Sequence, residues 1–289
     1  MRILAAAGQT DRLVPLLRQT LAEHDPEIAG AALAALGRLR DPAAAAALVG
    51  ALKERQYAPS RIATYLDQFP LPVAGLVAGL LHHPDAGVRY WGATLASRHP
   101  FETAASDLTA LTRDPAPVVR KAAIASLAHL APAAAVPAAR GLLGDAVWYV
   151  RAHAARALAE AGDIESADAI APLLADSEWW VRLAARESLQ RMGEEVWSVL
   201  VPYLDHEDTF ARNGAAEVLQ NMGVLDSLIV LEAATLHPSA TKLEMLRKIA
   251  AAGGSRMTSA LLERVTPEAR DRVQALLATL GLSQSEARS

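Results

Sequence analysis

Cysteine is absent from the 289-residue chain. Disulfides, thiolate nucleophiles and cysteine-built zinc or iron–sulfur centres are therefore excluded. Aromatic residues are scarce, 4% against 52% apolar residues, so the interior must be made of small and aliphatic side chains. A basic excess is also missing. Lys and Arg total 28 against 32 Asp and Glu, a formal charge of −4, and the electrostatic footprint of a nucleic-acid binder is not there. No run approaches the ~18 apolar residues of a membrane span. The opening MRILAAAG is too short and too weakly charged for a signal peptide. What the chain has in abundance is alanine, about a fifth of all residues, the best helix former and small enough for close helix approach.

A fixed period organises that alanine. The segments DPAPVVRKAAIASLAHL (114–130), DAVWYVRAHAARALAEAG (145–162) and DSEWWVRLAARESLQRMG (176–193) share Asp, five residues, Arg, one residue, Ala-Ala and Leu. HPDAGVRYWGATLASR (83–98) and HEDTFARNGAAEVLQNMG (206–223) follow more loosely. The ladder arginines fall at 89, 120, 151, 182 and 212, spaced by 31, 31, 31 and 30. Self-similarity at such a period marks a stacked repeat. Each repeat reads as two helices, for example 101–112 and 115–130. Asp114 is expected as an N-cap before Pro115, as are Asp25, Asp41, His83 and His237 before their prolines. Gly162, Gly193 and Gly223 sit where a left-handed C-cap is needed. Val119, Ala122, Ala123, Leu127 and Leu130 share one helical face, and no stretch alternates as a strand does.

The quoted segments resemble HEAT repeats of the short bacterial type, also seen in phycobilisome-lyase-like repeat proteins. The resemblance implies an all-α fold, a right-handed α-solenoid of about eight or nine antiparallel helix pairs. It is expected to fill residues 1–282 as one array, regular over 83–223 and degenerate over 1–82 and 224–282, as terminal repeats are. Ala29 and Arg61 are expected at the arginine position of the early repeats. Residues 3–17 read as the end of one helix followed by the next. The chain thus opens inside a repeat, the pattern of an excised segment with an anchor or repeats upstream, or of a degenerate cap. The tail 283–289 is polar and expected to be disordered.

Sites of chemistry are hard to find. The eight histidines form no metal signature, Gly253-Gly254 lacks the rest of a phosphate loop, and no nucleophile elbow occurs. No cofactor is expected. The arginine ladder reads as structural, each arginine bonding turn carbonyls or an aspartate of the neighbouring repeat, because a stack needs the same interface at every step.

The aromatics are the informative feature. Trp148-Tyr149, Trp179-Trp180 and Phe210 precede ladder arginines, and Tyr149, Trp180 and Phe210 share one register. Three successive second helices thus open on aromatic rings. Helices packed ~8–10 Å apart would set these rings in a row. His153, Arg156 and Glu160 continue the stripe below Tyr149. Below Trp180 come Ala184, Glu187 and Arg191, and below Phe210 come Gly214, Glu217 and Asn221. Small Ala184 and Gly214 are expected to leave space beside the rings. The opposing expectation turns Trp148 and Trp179 inward to seal the seam between repeats. Trp197 and Tyr203 read as core or back-side packing.

Clustered exposed aromatics mark binding surfaces, and Trp and Tyr dominate their hot spots. The expected function is a non-catalytic scaffold that takes a protein or extended peptide in its concave groove. Trp148, Tyr149, His153, Arg156, Trp179, Trp180, Glu187, Arg191 and Phe210 are the candidate contacts. Two alternatives follow from the resemblance alone: a nucleic-acid enzyme of the DNA glycosylase type, and a chromophore-lyase-like assistant enzyme.

Overall fold

The computed structural model describes residues 10–22, 25–39, 41–54, 57–69, 72–235, 239–253, 262 and 265–281. The expectations for residues 3–9, His237-Pro238, Gly254 and the tail lie outside the described residues. Seventeen α-helices, four short 3-10 segments and no strand occur among the described residues. The residues fall into two compact units, Met1–Ala138 and Ala139–Ser289, with the helix Pro132–Leu142 at the division.

In the first unit the helices form two layers. Thr10–Ala22, Pro42–Glu54, Ala74–Leu81 and Ala104–Leu111 make one layer, and Pro26–Arg38, Pro59–Asp67, Ala86–Ala96 and Pro117–Leu130 make the other. The second unit repeats the plan. Trp148–Glu160, Thr209–Asn221 and Ala240–Gly253 form one layer with Trp179–Met192 between the first two. The partner layer contains residues 164–175, 194–205, Val224–Ala234 and Pro267–Thr279.

Residues 164–175 and 194–205 are not continuous α-helices. Each is a single α-turn, Ala167–Ile170 or Trp197–Leu200, flanked by 3-10 segments. Pro172 and Pro202 stand 30 residues apart in the later segment of each. Proline removes an N–H donor and collides with the carbonyl four residues back, which stops α-helical propagation there.

The core is periodic in the same letters as the sequence. Val119, Val150, Val181 and Ala211 are fully buried, as are Ala123, Ala154, Ala185 and Ala215, and Leu127, Leu158, Leu189 and Leu219. Alanine at the middle position keeps the second helices close together. Leu130, expected on the apolar face of its helix, is only half-buried, and Ile124 is fully buried instead. This helix packs against both Ala86–Ala96 and Ala104–Leu111 and so buries more than a single stripe.

The expected start signals hold in part. Asp25 caps Pro26–Arg38, its carboxylate accepting from Glu27 and Ile28 N–H at 2.9 and 3.2 Å. Asp41 accepts from Ala43 N–H at 2.8 Å. Asp114 is not an N-cap: that helix begins at Pro117 behind Ala116, and the Asp114 carboxylate closes a local turn by accepting from Ala116 N–H at 2.8 Å. His83 is not a cap either. Its Nδ1 accepts from Asp85 N–H at 3.1 Å, and Asp85 takes the cap by accepting from Val88 N–H. Gly162, Gly193 and Gly223 all have positive φ, between 70° and 87°, at the expected helix ends.

Candidate functional site

The arginine ladder fixes the turn from which each second helix departs. In all five repeats Nη1 donates to two turn carbonyls, six and five residues upstream. For Arg151 these are Asp145 O at 2.8 Å and Ala146 O at 3.4 Å. For Arg182 they are Asp176 O at 2.7 Å and Ser177 O at 3.0 Å. Arg89, Arg120 and Arg212 make the same pair of bonds. Arg61 does not: its Nη1 meets Tyr57 Oη at 3.3 Å, and Ala29, at the arginine position of an earlier repeat, is buried.

The other edge of the guanidinium joins one repeat to the next. Arg89 Nε and Nη2 donate to the two carboxylate oxygens of Asp114 at 2.7 and 3.0 Å. Arg151 grips Asp176 in the same way, at 2.8 Å on both oxygens. These are planar bidentate pairs, the stronger class of protein hydrogen bond. Burial pushes the Asp176 carboxyl up. The bonds from Arg151 and Glu178 N–H, with the charges of Arg151 and Arg182, outweigh it and hold the group below its ordinary 3.8. Asp114 is lowered for the same reasons by Arg89, Ala116 N–H and Arg120. The ladder is thus structural, as its periodicity predicts.

The aromatic residues sit just outside this frame. Trp148 and Tyr149 open the helix Trp148–Glu160, Trp179 and Trp180 open Trp179–Met192, and Phe210 is second in Thr209–Asn221. Val150, Val181 and Ala211 follow them and point into the core, so the preceding side chains project outward. Trp179, Trp180 and Phe210 are 49%, 52% and 59% exposed. Trp148 is also exposed and Tyr149 half-buried. The inward seal expected of Trp148 and Trp179 does not form.

The rings are arranged otherwise than as a continuous row. Trp148 meets Tyr149 edge-on at 5.5 Å, and Trp179 meets Trp180 edge-on at 4.6 Å. Between repeats the bridging group is Arg182, whose guanidinium carbon lies 4.2 Å from the Phe210 ring centroid. Ala184 and Gly214 open no space beside the rings, because both are buried. A Cβ on Gly214 would approach Leu174 Cδ2 to 3.2 Å. Four residues on a helix turn 400°, so the stripe drifts about 40° from the exposed rings into the seam.

Farther along, the second helices are laced by pairs one repeat apart. Arg156 Nη2 donates to Glu187 Oε2 at 3.0 Å, Arg186 Nη1 stands 3.2 Å from Glu217 Oε2, and Asn221 Nδ2 donates to Gln190 Oε1 at 3.3 Å. Arg156 and Glu187 are thus brought together, with each other as partners. His153 is half-buried, and Arg191 is exposed in the last turn of its helix. Trp197 is exposed rather than core, and Tyr203 stacks on His206 at 5.5 Å. Among the described residues no three His, Asp or Glu side chains could hold a metal ion. No single helix there is long and apolar enough to cross a membrane.

His206 stands in the register of the ladder aspartates. The difference is visible in the sequence, since HEDTF stands where the preceding repeats have DAVWY and DSEWW.

Comparison with known proteins places this architecture. The HEAT-repeat family model matches residues 1–66, 73–148, 105–190 and 141–220. The crystal structure of YibA from Escherichia coli is similar over 87% of this chain and 96% of that chain, at 16% identity and a TM-score of 0.52. The complex of CpcE and CpcF of phycocyanin lyase from Nostoc sp. PCC7120 matches over 73% and 96%, at 22% identity and a TM-score of 0.43. A designed armadillo repeat protein matches over 71% and 98%, at 21% identity and a TM-score of 0.38. No curated protein matches in sequence. Matched over most of its length by one repeat model, the chain is an all-α solenoid and belongs to the HEAT-repeat family.

Proposed function

We propose that the chain is a non-catalytic interaction scaffold that docks a protein or an extended peptide across the second helices of residues 148–221, on the side that would be concave in a continuous array. The observation that carries this reading is the recurrence of exposed aromatics in one register. Trp179, Trp180 and Phe210 each leave about half of a large ring in water. An isolated exposed apolar side chain is ordinary, whereas a cluster of this kind is the surface that interfaces use. Arg156, Glu187 and Arg191 line the same helices. The internal pairs Arg156–Glu187 and Arg186–Glu217 leave little net charge, which favours a mixed polar and apolar partner over a polyanion.

The test is affinity capture with the wild-type chain beside a Trp180→Ala, Phe210→Ala double variant and a Trp197→Ala control. Truncating a hot-spot aromatic costs about 2 kcal/mol, or roughly 30-fold in affinity. Proteins held by the wild type and the control should be lost from the double variant at unchanged melting temperature. Equal recovery by all three would refute the assignment.

A further inference from the structure

The coupling edge of Arg182 in the arginine ladder holds no carboxylate and no hydroxyl among the described residues, whereas Nη2 of Arg212 donates to Thr209 Oγ1 at 2.9 Å. At Arg89 and Arg151 the Nε–Nη2 edge holds an aspartate of the next repeat, Asp114 and Asp176. One step later the residue in that register is His206. Its Nδ1 already accepts from Asp208 N–H at 3.0 Å, and its ring lies flat on Tyr203. Arg182 keeps both turn carbonyls on Nη1. Among the described residues nothing accepts from Nε or Nη2, and no carboxylate lies within ion-pair distance.

The free edge is held ready rather than loose. Two backbone bonds fix one end of the guanidinium and the Phe210 ring supports its face at 4.2 Å. An ordered fork loses little entropy on binding and selects a planar two-oxygen acceptor. Exposed Trp179 and Trp180 stand on the first turn of the same helix. A partner covering these rings would also exclude water from the arginine, which strengthens a charge pair.

We infer that the Nε–Nη2 edge of Arg182 receives a carboxylate from the docked partner, which is therefore a segment carrying Asp or Glu beside apolar side chains. This rests on the docking surface proposed above and specifies its chemistry. The chain supplies the template twice: the partner's carboxylate would bind as Asp114 and Asp176 do, completing the step that His206 leaves open.

Substitution of His206 itself provides the test. His206→Asp restores the ladder residue and fills the edge from within. The probe is a blocked peptide alternating Leu, Phe, Asp and Glu, compared with its Asn and Gln isostere, with the indole signals of Trp179 and Trp180 as readout. The acidic peptide should bind the wild type about tenfold tighter than the isostere, with the preference shrinking in salt. Arg182→Gln and His206→Asp should each abolish the preference, and His206→Asp should melt no lower than wild type, so loss cannot be misfolding. Equal binding of both peptides to the wild type would overturn the inference while leaving aromatic docking standing. A preference that survives in His206→Asp would also overturn it, as would no detectable binding of the acidic peptide. Loss of both peptides in Trp180→Ala would speak separately to the docking surface.

Discussion

Removing Arg151 tests how strongly one ladder arginine holds its repeat. Arg151→Ala deletes two bonds to the Asp176 carboxylate at 2.8 Å, one to Asp145 O at 2.8 Å and a longer one to Ala146 O. The side chains of Arg151 and Asp176 are only 14% and 8% exposed, so the stranded carboxylate recovers little water. It keeps Glu178 N–H at 2.9 Å. Breaking a buried pair by removing one partner costs about 3–5 kcal/mol. With one bond retained and the turn at the edge of the helix layer, the expected loss is near the lower end, about 3 kcal/mol. At ~2–4 °C per kcal/mol for a unit of this size, the melting midpoint should fall by about 6–12 °C. Denaturant titration gives the free energy, and amide exchange at Glu178 reports the local opening. A double replacement, Arg151→Met with Asp176→Leu, removes both charges and should cost less than Arg151→Ala alone. A single variant within about 0.5 kcal/mol of wild type, or a double variant worse than the single, would refute the reasoning.

Three further outcomes follow from the same geometry. Gly92→Ala should destabilise, because its new Cβ would stand 2.7 Å from Leu80 Cβ and 3.0 Å from Leu80 C; a neutral melting curve would show that the two helices part freely. Gly193→Ala should cost about 1–3 kcal/mol with no clash involved, since φ is 87° and ψ −172° there and open space surrounds the position; the check is a melt beside Gly144→Ala. Asp114 and Asp176 titrate below their ordinary 3.8 and Glu232, held by Lys242 and Ser239 N–H, below its ordinary 4.5. Their stabilisation is complete above those ordinary values and is lost as pH falls through the lowered ones. The melting temperature should therefore be flat near neutrality and fall below about pH 4.5, with Asp176→Asn closing its deficit against wild type as the pH drops; a constant deficit down to pH 3 would contradict this.

Periodic features of the structure were the legible ones. The clamp of Arg151 on its turn and on Asp176 could be read because three successive repeats, from Asp114, Asp145 and Asp176, state it in the same residues. The positive φ of Gly162, Gly193 and Gly223 followed from glycine at each helix end. Local features that depend on competition for one group were not legible. Asp-Pro starts a helix at Asp25 but not at Asp114, because the Asp114 carboxylate is engaged by Ala116 N–H and by an arginine 25 residues away. At the candidate site exposure is expected of Tyr149, Trp180 and Phe210 alike; Trp180 and Phe210 are exposed, whereas Tyr149 is half-buried. The burial of Ala184 and Gly214 was not legible, since a helical stripe does not stay on one side of a stack. Arg182 lies over Phe210 at the step where the aspartate register holds His206, a pairing that no repeat pattern announces.

The two-edged arginine makes the array extensible. Each Asp-type repeat accepts a pair through its aspartate and offers one to the following repeat through the arginine six residues on, like a directional coupling. A duplicated block of residues 145–175 would present Asp145 to the preceding Arg151 and its own Arg151 to Asp176, leaving no carboxylate or guanidinium stranded at either splice. His83 and His206, which occupy the aspartate register without a carboxylate, bracket the stretch in which that copying is permitted. Length is thus an adjustable property of the middle of this molecule and a fixed one at the flanks. Lineages that vary in repeat number should gain and lose copies in whole units of 31 residues between those two histidines.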